Sequence, residues 1–213
     1  LADENSFFFK FLTRILKLVM KNIKNVCVYC GSSSRVDDVY KNAARDLGQI
    51  LASERWDVVY GGGRVGLMGI VADSALAAGS KVYGIIPHHI QSREVQHTDL
   101  TELHVVDNMH TRKKMMVDRA DAFVILPGGL GTLDEFFELL TWRQLGLHDK
   151  PVVVVNVNGY WTKLVEAIRH IAAVGFMRET DLGTFVVVGD VRDVPAALKA
   201  APQETIDPQT KWI

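Results

Sequence analysis

Seven short runs rich in valine, isoleucine and aromatic residues recur along this chain, at 26–30, 57–60, 82–86, 102–106, 122–126, 152–156 and 185–188. Most are apolar throughout rather than alternating, which is the pattern of strands covered on both faces. Helical patterns lie between and after them, near 37–54, 66–79, 110–120, 132–146, 161–173 and 191–200. A strand can be followed repeatedly by a helix in this way only if right-handed crossovers return the chain to a parallel sheet. The expected fold is α/β: a Rossmann-like, doubly wound, mostly parallel sheet with helices on both faces. The order of the strands cannot be read from the sequence.

With 213 residues and 48% apolar content, the chain is long enough for one domain with a sizeable core. No repeat or linker divides it. We expect one Rossmann-like domain over 21–200, preceded by an N-terminal extension (1–20) and followed by a frayed C-terminal tail (201–213). The extension mixes Phe7, Phe8, Phe9, Leu12, Ile15 and Leu16 with Lys10, Arg14 and Lys17. That is too short and too charged for a membrane span, and it lacks the order of a secretory signal. Met20 leads straight into the first strand and is the expected natural start. The net charge of −1 gives no overall pull toward nucleic acid or an anionic membrane. Recognition of phosphate must therefore be local.

Cys27 and Cys30 form a Cys-x-x-Cys pair, the spacing of redox and zinc sites. They fall in the strand Val26-Cys27-Val28-Tyr29-Cys30, where residues three apart point to opposite faces. Two buried structural thiols are expected, suited to a reducing cytosol, so the protein is expected to be cytoplasmic. His88 and His89 are adjacent on a loop, and His97, His104 and His110 are scattered. No metal site is expected.

Glycine, proline and polar residues cluster after the first five strands. Gly31 and Ser32 follow the first, Gly61, Gly62 and Gly63 the second, and Pro127-Gly128-Gly129 the fifth. In open α/β sheets, ligands bind outside the carboxyl ends of the strands. Glycine loops there let backbone N–H groups approach a phosphate at a helix N-terminus. Gly61-Gly62-Gly63-Arg64-Val65-Gly66 matches G-x-G-x-x-G, but it follows the second strand and no acid ends the next one. A nicotinamide or flavin cofactor is therefore disfavoured, and no P-loop sequence is present. The expected role of this turn is tight helix–sheet packing plus N–H donors for a nucleotide phosphate.

Two segments carry candidate chemistry. Met109-His110-Thr111-Arg112-Lys113-Lys114 opens a helix with cations in its first turn, where the macrodipole disfavours them by about 0.3–1 kcal/mol each. An anionic ligand would offset that. Arg112 is the candidate, because guanidinium forks phosphate bidentately, and Lys114 reads as a solvated surface residue. Pro127-Gly128-Gly129-Leu130-Gly131-Thr132-Leu133-Asp134-Glu135 places a carboxylate one turn into a helix expected to start near Thr132. Thr132-x-x-Glu135 is also a capping box, in which the glutamate bonds back to the N-cap amide. Asp134 and Glu138 read as surface or salt-bridge residues. Ser32-Ser33-Ser34 lacks nucleophile-elbow glycines and is expected to hydrogen-bond sugar or phosphate. Trp142, Tyr160 and Trp161 read as core or interface residues.

Taken together, Pro127–Glu135, Met109–Lys113, Gly61–Gly63 and Gly66–Gly69 resemble the LOG ("lonely guy") family of cytokinin riboside 5'-monophosphate phosphoribohydrolases, over roughly Val26 to Ala200. The resemblance implies hydrolysis of the N-glycosidic bond of a nucleoside 5'-monophosphate, giving free base and ribose 5-phosphate. It implies Arg112 and Glu135 as the catalytic pair. It also implies a nucleotide site lined by Glu94, Arg112, Lys113, the loop Gly128, Gly129, Leu130, Gly131, Thr132, Leu133 and Asp134, and Thr141. Members are homodimers, and many have been labelled lysine decarboxylases, although no pyridoxal-binding constellation is recognisable here. No cofactor is expected. AMP remains open as a substrate, and a non-catalytic nucleotide or molybdenum-cofactor carrier of related fold is the alternative.

Overall fold

The computed structural model of the protein describes residues 23–91 and 95–201. The expected extension, almost all of the expected tail and Glu94 lie outside the described residues. The elements in chain order are β1 (Asn25–Tyr29), α1 (Asp38–Ser53), β2 (Asp57–Tyr60), α2 (Leu67–Ala77), β3 (Val82–Pro87), α3 (His88–Gln91), β4 (Glu102–Val106), α4 (Met109–Arg119), β5 (Ala122–Ile125), α5 (Leu130–Gln144), β6 (Val152–Val155), α6 (Thr162–Ala173), β7 (Val186–Val188) and α7 (Val194–Ala200). Short 3-10 turns at Val157–Gly159, Glu179–Thr184 and Val191–Asp193 complete it.

The strands form one seven-stranded sheet in the order β4-β3-β2-β1-β5-β6-β7. Every pairing is parallel. The chain starts in the middle, builds outward to β4, then returns to lay β5 against the free side of β1. Val26 pairs with Ala122 and Tyr29 with Ile125. The direction of winding reverses between β1 and β5, which is where such sheets open a crevice for ligands.

Side-chain alternation along β1 divides the core in two. Val26, Val28 and Cys30 pack with Leu47 and Leu51 of α1, Val71 of α2 and Leu198 of α7. Cys27 and Tyr29 pack on the other face with Met116 of α4, Phe136 of α5 and Ile168 of α6. Both layers are closed, so each large core side chain contributes about 1.5–3 kcal/mol by leaving water. The two cysteines are buried and free, one in each layer.

Three boundaries differ from the sequence reading. His88 and His89 open α3, a four-residue helix, too short to leave a periodic signature. The pattern near 191–200 splits into a 3-10 turn and α7, with proline in the helix's first turn. The helix expected from Thr132 begins at Leu130. This last shift changes the reading of the site.

Candidate active site

Arg112 is set by the start of α4. The Asn108 side chain caps that helix by accepting from the Thr111 amide at 2.9 Å. The Arg112 side chain then runs under the carboxyl edge of the sheet and is only 5% exposed. Its Nε donates to the Ile85 carbonyl of β3 at 3.1 Å, and Nη2 donates to the Gly61 carbonyl just beyond β2 at 2.9 Å. Nη1 lies 3.7 Å from the Met109 sulfur. These carbonyls orient the guanidinium. With donors committed to two strand ends, Arg112 is fixed in place rather than a freely swinging phosphate fork.

The Gly61–Gly63 turn is the platform for that charge. A Cβ at Gly61 would fall on the Arg112 guanidinium. The Gly62 carbonyl accepts from the His97 amide at 3.1 Å, and Gly63 bridges to Gln96. All three glycines are buried. The carbonyls of Gly61 and Gly62 are therefore engaged by protein groups, a role that the spacing alone did not indicate.

Glu135 is not part of a capping box. Helix α5 has Gly129 as its N-cap, with no side-chain cap. That places Thr132 inside the first turn and Glu135 in the second, out of position to bond back to the N-cap amide. The chain can enter the helix two residues early because Gly128 carries no side chain. A Cβ at Gly128 would overlap the Thr132 side chain, 2.6 Å from its Cβ. Glu135 is half-buried.

The charges of Glu135 and Arg112 act on one thiol. Burial pushes the Cys27 thiol well above its ordinary pKa, the Glu135 carboxylate pushes it further, and Arg112 opposes. Burial also raises the Cys30 thiol, again with Glu135 adding to it. The Tyr29 hydroxyl is raised chiefly by burial, then by Cys27 and Glu135. The carboxylate therefore makes itself felt at the carboxyl end of β1, beside the switch point.

Lys113 joins the two helices that carry these groups. It is 8% exposed, and its Nζ lies 3.1 Å from both Asp134 and Glu138. Burial works against its charge, but the hydrogen bonds it donates to Asp134 and Glu138 outweigh that and the pKa is raised. Lys113 thus bridges α4 to α5. Lys114 is exposed and pairs with Asp118 at 2.6 Å.

At the switch point lies a cleft of about 280 Å³, lined by Gly31, Ser32, Val36, Tyr40, Gly128, Tyr160 and their neighbours. The Gly31 amide donates to the Pro127 carbonyl at 3.0 Å, joining the ends of β1 and β5. A Cβ at Gly31 would stand 3.2 Å from the Gly128 Cα, so the two loops can close this tightly only with glycine there. The Tyr160 hydroxyl donates to the Gly128 carbonyl at 2.7 Å, and its ring meets Tyr40 edge-on at 5.6 Å. Gly129, Leu130 and Gly131 are exposed at the N-terminus of α5, where amides and the helix dipole favour an anion. Ser32 is exposed beside them.

Thr141 stands apart. It is exposed and donates back to the Phe137 carbonyl at 2.7 Å, roughly 16 Å along α5 from Leu130 by helical rise. Within this chain it does not reach the cleft. Tyr40 was not singled out from sequence, Tyr160 was read only as a core or interface residue and His97 only as a scattered histidine, since an isolated aromatic or histidine carries no spacing signal. Among the described residues no group of three or more His, Cys, Asp or Glu could hold a metal ion, and no helix is long and apolar enough to cross a membrane.

Comparison with known proteins adds the following. A family described as "Possible lysine decarboxylase" matches residues 68–198. The chain is 43% identical over 178 residues to a cytokinin riboside 5'-monophosphate phosphoribohydrolase of Rhodococcoides fascians, covering 83% of this chain and 90% of that protein. It is 40% identical over 185 residues to a namesake from Arabidopsis thaliana, covering 87% and 81%. Among solved structures, the Moco carrier protein of Chlamydomonas reinhardtii superposes with a TM-score of 0.63 at 21% identity, covering 84% of this chain and 96% of that one. A molybdenum cofactor binding protein from Rippkaea orientalis gives 0.63 at 19%, covering 84% and 98%. At such low identity these structures speak to the fold alone.

Proposed function

This chain belongs to the family of the cytokinin riboside 5'-monophosphate phosphoribohydrolases, and from that premise we propose that it hydrolyses the N-glycosidic bond of a nucleoside 5'-monophosphate. The substrates are cytokinin riboside 5'-monophosphates, with AMP a further candidate. The products are free base and ribose 5-phosphate.

The observation that carries this reading is that Arg112 is held on the carbonyls at the ends of β2 and β3 while Glu135 stands in the second turn of the helix that leaves β5, whose N-terminus is exposed. The phosphate is held by the amides of Gly128, Gly129, Leu130 and Gly131, with Gly31 and Ser32 opposite. That anchor puts the ribose over Glu135. As the bond from C1' to the base nitrogen breaks, its electron pair leaves with the base and positive charge builds on the sugar. Glu135 stabilises that charge and takes a proton from the water that attacks C1', while the base acquires a proton as it departs. Arg112, fixed by Gly61 and Ile85, supplies a preorganised positive charge to the anionic substrate. Lys113 sets the separation of the two helices. The reaction consumes only water, and we assign it no metal or cofactor.

The active unit is a homodimer. Leu130, Phe137 and Leu145 are 84%, 40% and 37% exposed. With Thr141 they follow helical spacing down one face of α5, an apolar stripe that a second copy of the chain would cover. Thr141, Glu94, Leu133 and Asp134 complete the substrate surface on this reading. Two buried free thiols suit a reducing cytoplasm, and no nucleic-acid partner is proposed.

The test is chromatography of AMP and isopentenyladenosine monophosphate after incubation with purified protein. Free base with ribose 5-phosphate supports the hydrolase. Intact nucleotide retained stoichiometrically points instead to a carrier.

A further inference from the structure

Residues 95–97 lie across the Gly61–Gly63 turn, and one of them holds a costly conformation. Val95 has φ of +45°, a region that β-branched residues rarely enter. Such conformations persist only where surrounding contacts hold them. The holding contacts are on either side of it. The Arg64 amide donates to the Val95 carbonyl at 2.9 Å, Gly63 bridges to Gln96, and the His97 amide donates to the Gly62 carbonyl at 3.1 Å.

His97 is the pin in this arrangement. Its side chain is fully buried, and Nε2 sits 2.8 Å from Asp73 on α2. Its Nδ1 accepts from the Asp99 amide at 3.2 Å, which leaves Nε2 as the protonated nitrogen donating to Asp73. The imidazole thus ties α2 to the segment 95–99, and the backbone amide of the same residue ties that segment to the glycine turn. The Gly62 carbonyl it secures is one peptide unit from the Gly61 carbonyl that receives Arg112.

We propose that His97 is a positioning residue for the reaction: it fixes the Gly61–Gly62 peptides, and through them the direction of the Arg112 guanidinium. The catalytic consequence rests on the hydrolase reading above, whereas the structural consequence does not. His97 touches neither Arg112 nor the cleft. Its effect is transmitted through the turn, and a displacement of about 1 Å in such a group can cost on the order of a hundredfold in rate.

The test compares His97→Ala with His97→Gln, whose amide can still donate to Asp73, and with Asp73→Ala. Two readouts are taken. In hydrolysis assays, His97→Ala is expected to lower kcat by about ten- to a hundredfold with KM little changed, and His97→Gln to recover most of the loss. In nuclear magnetic resonance, the Arg112 Nη–H signal, from the nitrogen that donates to Gly61, is expected to be protected from exchange in the parent and in His97→Gln, and to lose protection in His97→Ala. If His97→Ala does not fold, Asp73→Ala carries the same two readouts. An unchanged Arg112 signal in the folded variant overturns the proposal whether or not the protein is a hydrolase. A parent that releases no base overturns the hydrolase reading and leaves the resonance result to decide this one. A fall in melting temperature with kcat and the Arg112 signal intact reduces His97 to a structural residue and also overturns it.

Discussion

Arg112 occupies the space that a side chain at residue 61 would need, and its guanidinium donates to that residue's own carbonyl at 2.9 Å. The glycine at 61 and the arginine at 112 are therefore one structural decision, made by segments on either side of β3 and β4.

Gly61→Ala is expected to displace the guanidinium rather than unfold the protein. Overpacking at a tight site costs about 1–3 kcal/mol, while a misdirected catalytic group loses on the order of a hundredfold in rate. Thermal melting together with steady-state hydrolysis separates the two. Full activity in a folded Gly61→Ala variant would show that the placement of Arg112 is irrelevant to turnover.

Glu135→Gln is expected to lower kcat by about a hundredfold or more, the scale of a lost general base. Because α5 starts at Leu130 with no side-chain cap, the substitution removes no helix cap, and circular dichroism of the folded variant should show its helix content unchanged. Hydrolysis at the parent rate by that folded variant would count against the catalytic role.

Neither thiol should react in the native protein. Cys27 and Cys30 are buried, and burial followed by the Glu135 carboxylate raises both above the ordinary thiol range. The thiolate is the reactive form, so a chromogenic disulfide reagent should titrate no thiol at neutral pH and both after denaturation. Rapid native labelling of either would contradict the described core.

Phe137→Asp puts a charge in the middle of the exposed stripe on α5. We expect it to convert a dimer into a monomer in sedimentation equilibrium, with activity falling in parallel. A parent protein that already sediments as a monomer rules out the proposed interface.

The alternation of strands and helices made the fold legible, because fully buried strands such as Val152–Val155 leave continuous apolar runs. The seam between β1 and β5 was not legible, since pairing order depends on contacts far apart in sequence. Arg112 stood out as a cation in the first turn of a helix and Glu135 as an acid shortly after a glycine loop, while their pairing as catalytic groups came only from the resemblance to a family. What holds Arg112 was hidden: the Gly61 and Ile85 carbonyls carry no side-chain signature. His97 looked like a scattered histidine because its partners, Asp73 and the Gly62 carbonyl, lie 24 and 35 positions away. The cap at Gly129 was misplaced because Thr132-x-x-Glu135 satisfies a rule that the double glycine pre-empts.

Arg112 hangs from the outlets of β2 and β3, whereas Glu135 rides on the helix that leaves β5, and β1 is the axis between them. The two groups thus belong to opposite wings of one twisted surface. A change in the twist of that surface about β1 would therefore reach both groups at once. Turnover in such a scaffold should respond to torsion across its central strand, and variants far from the cleft that stiffen either wing become natural levers on rate.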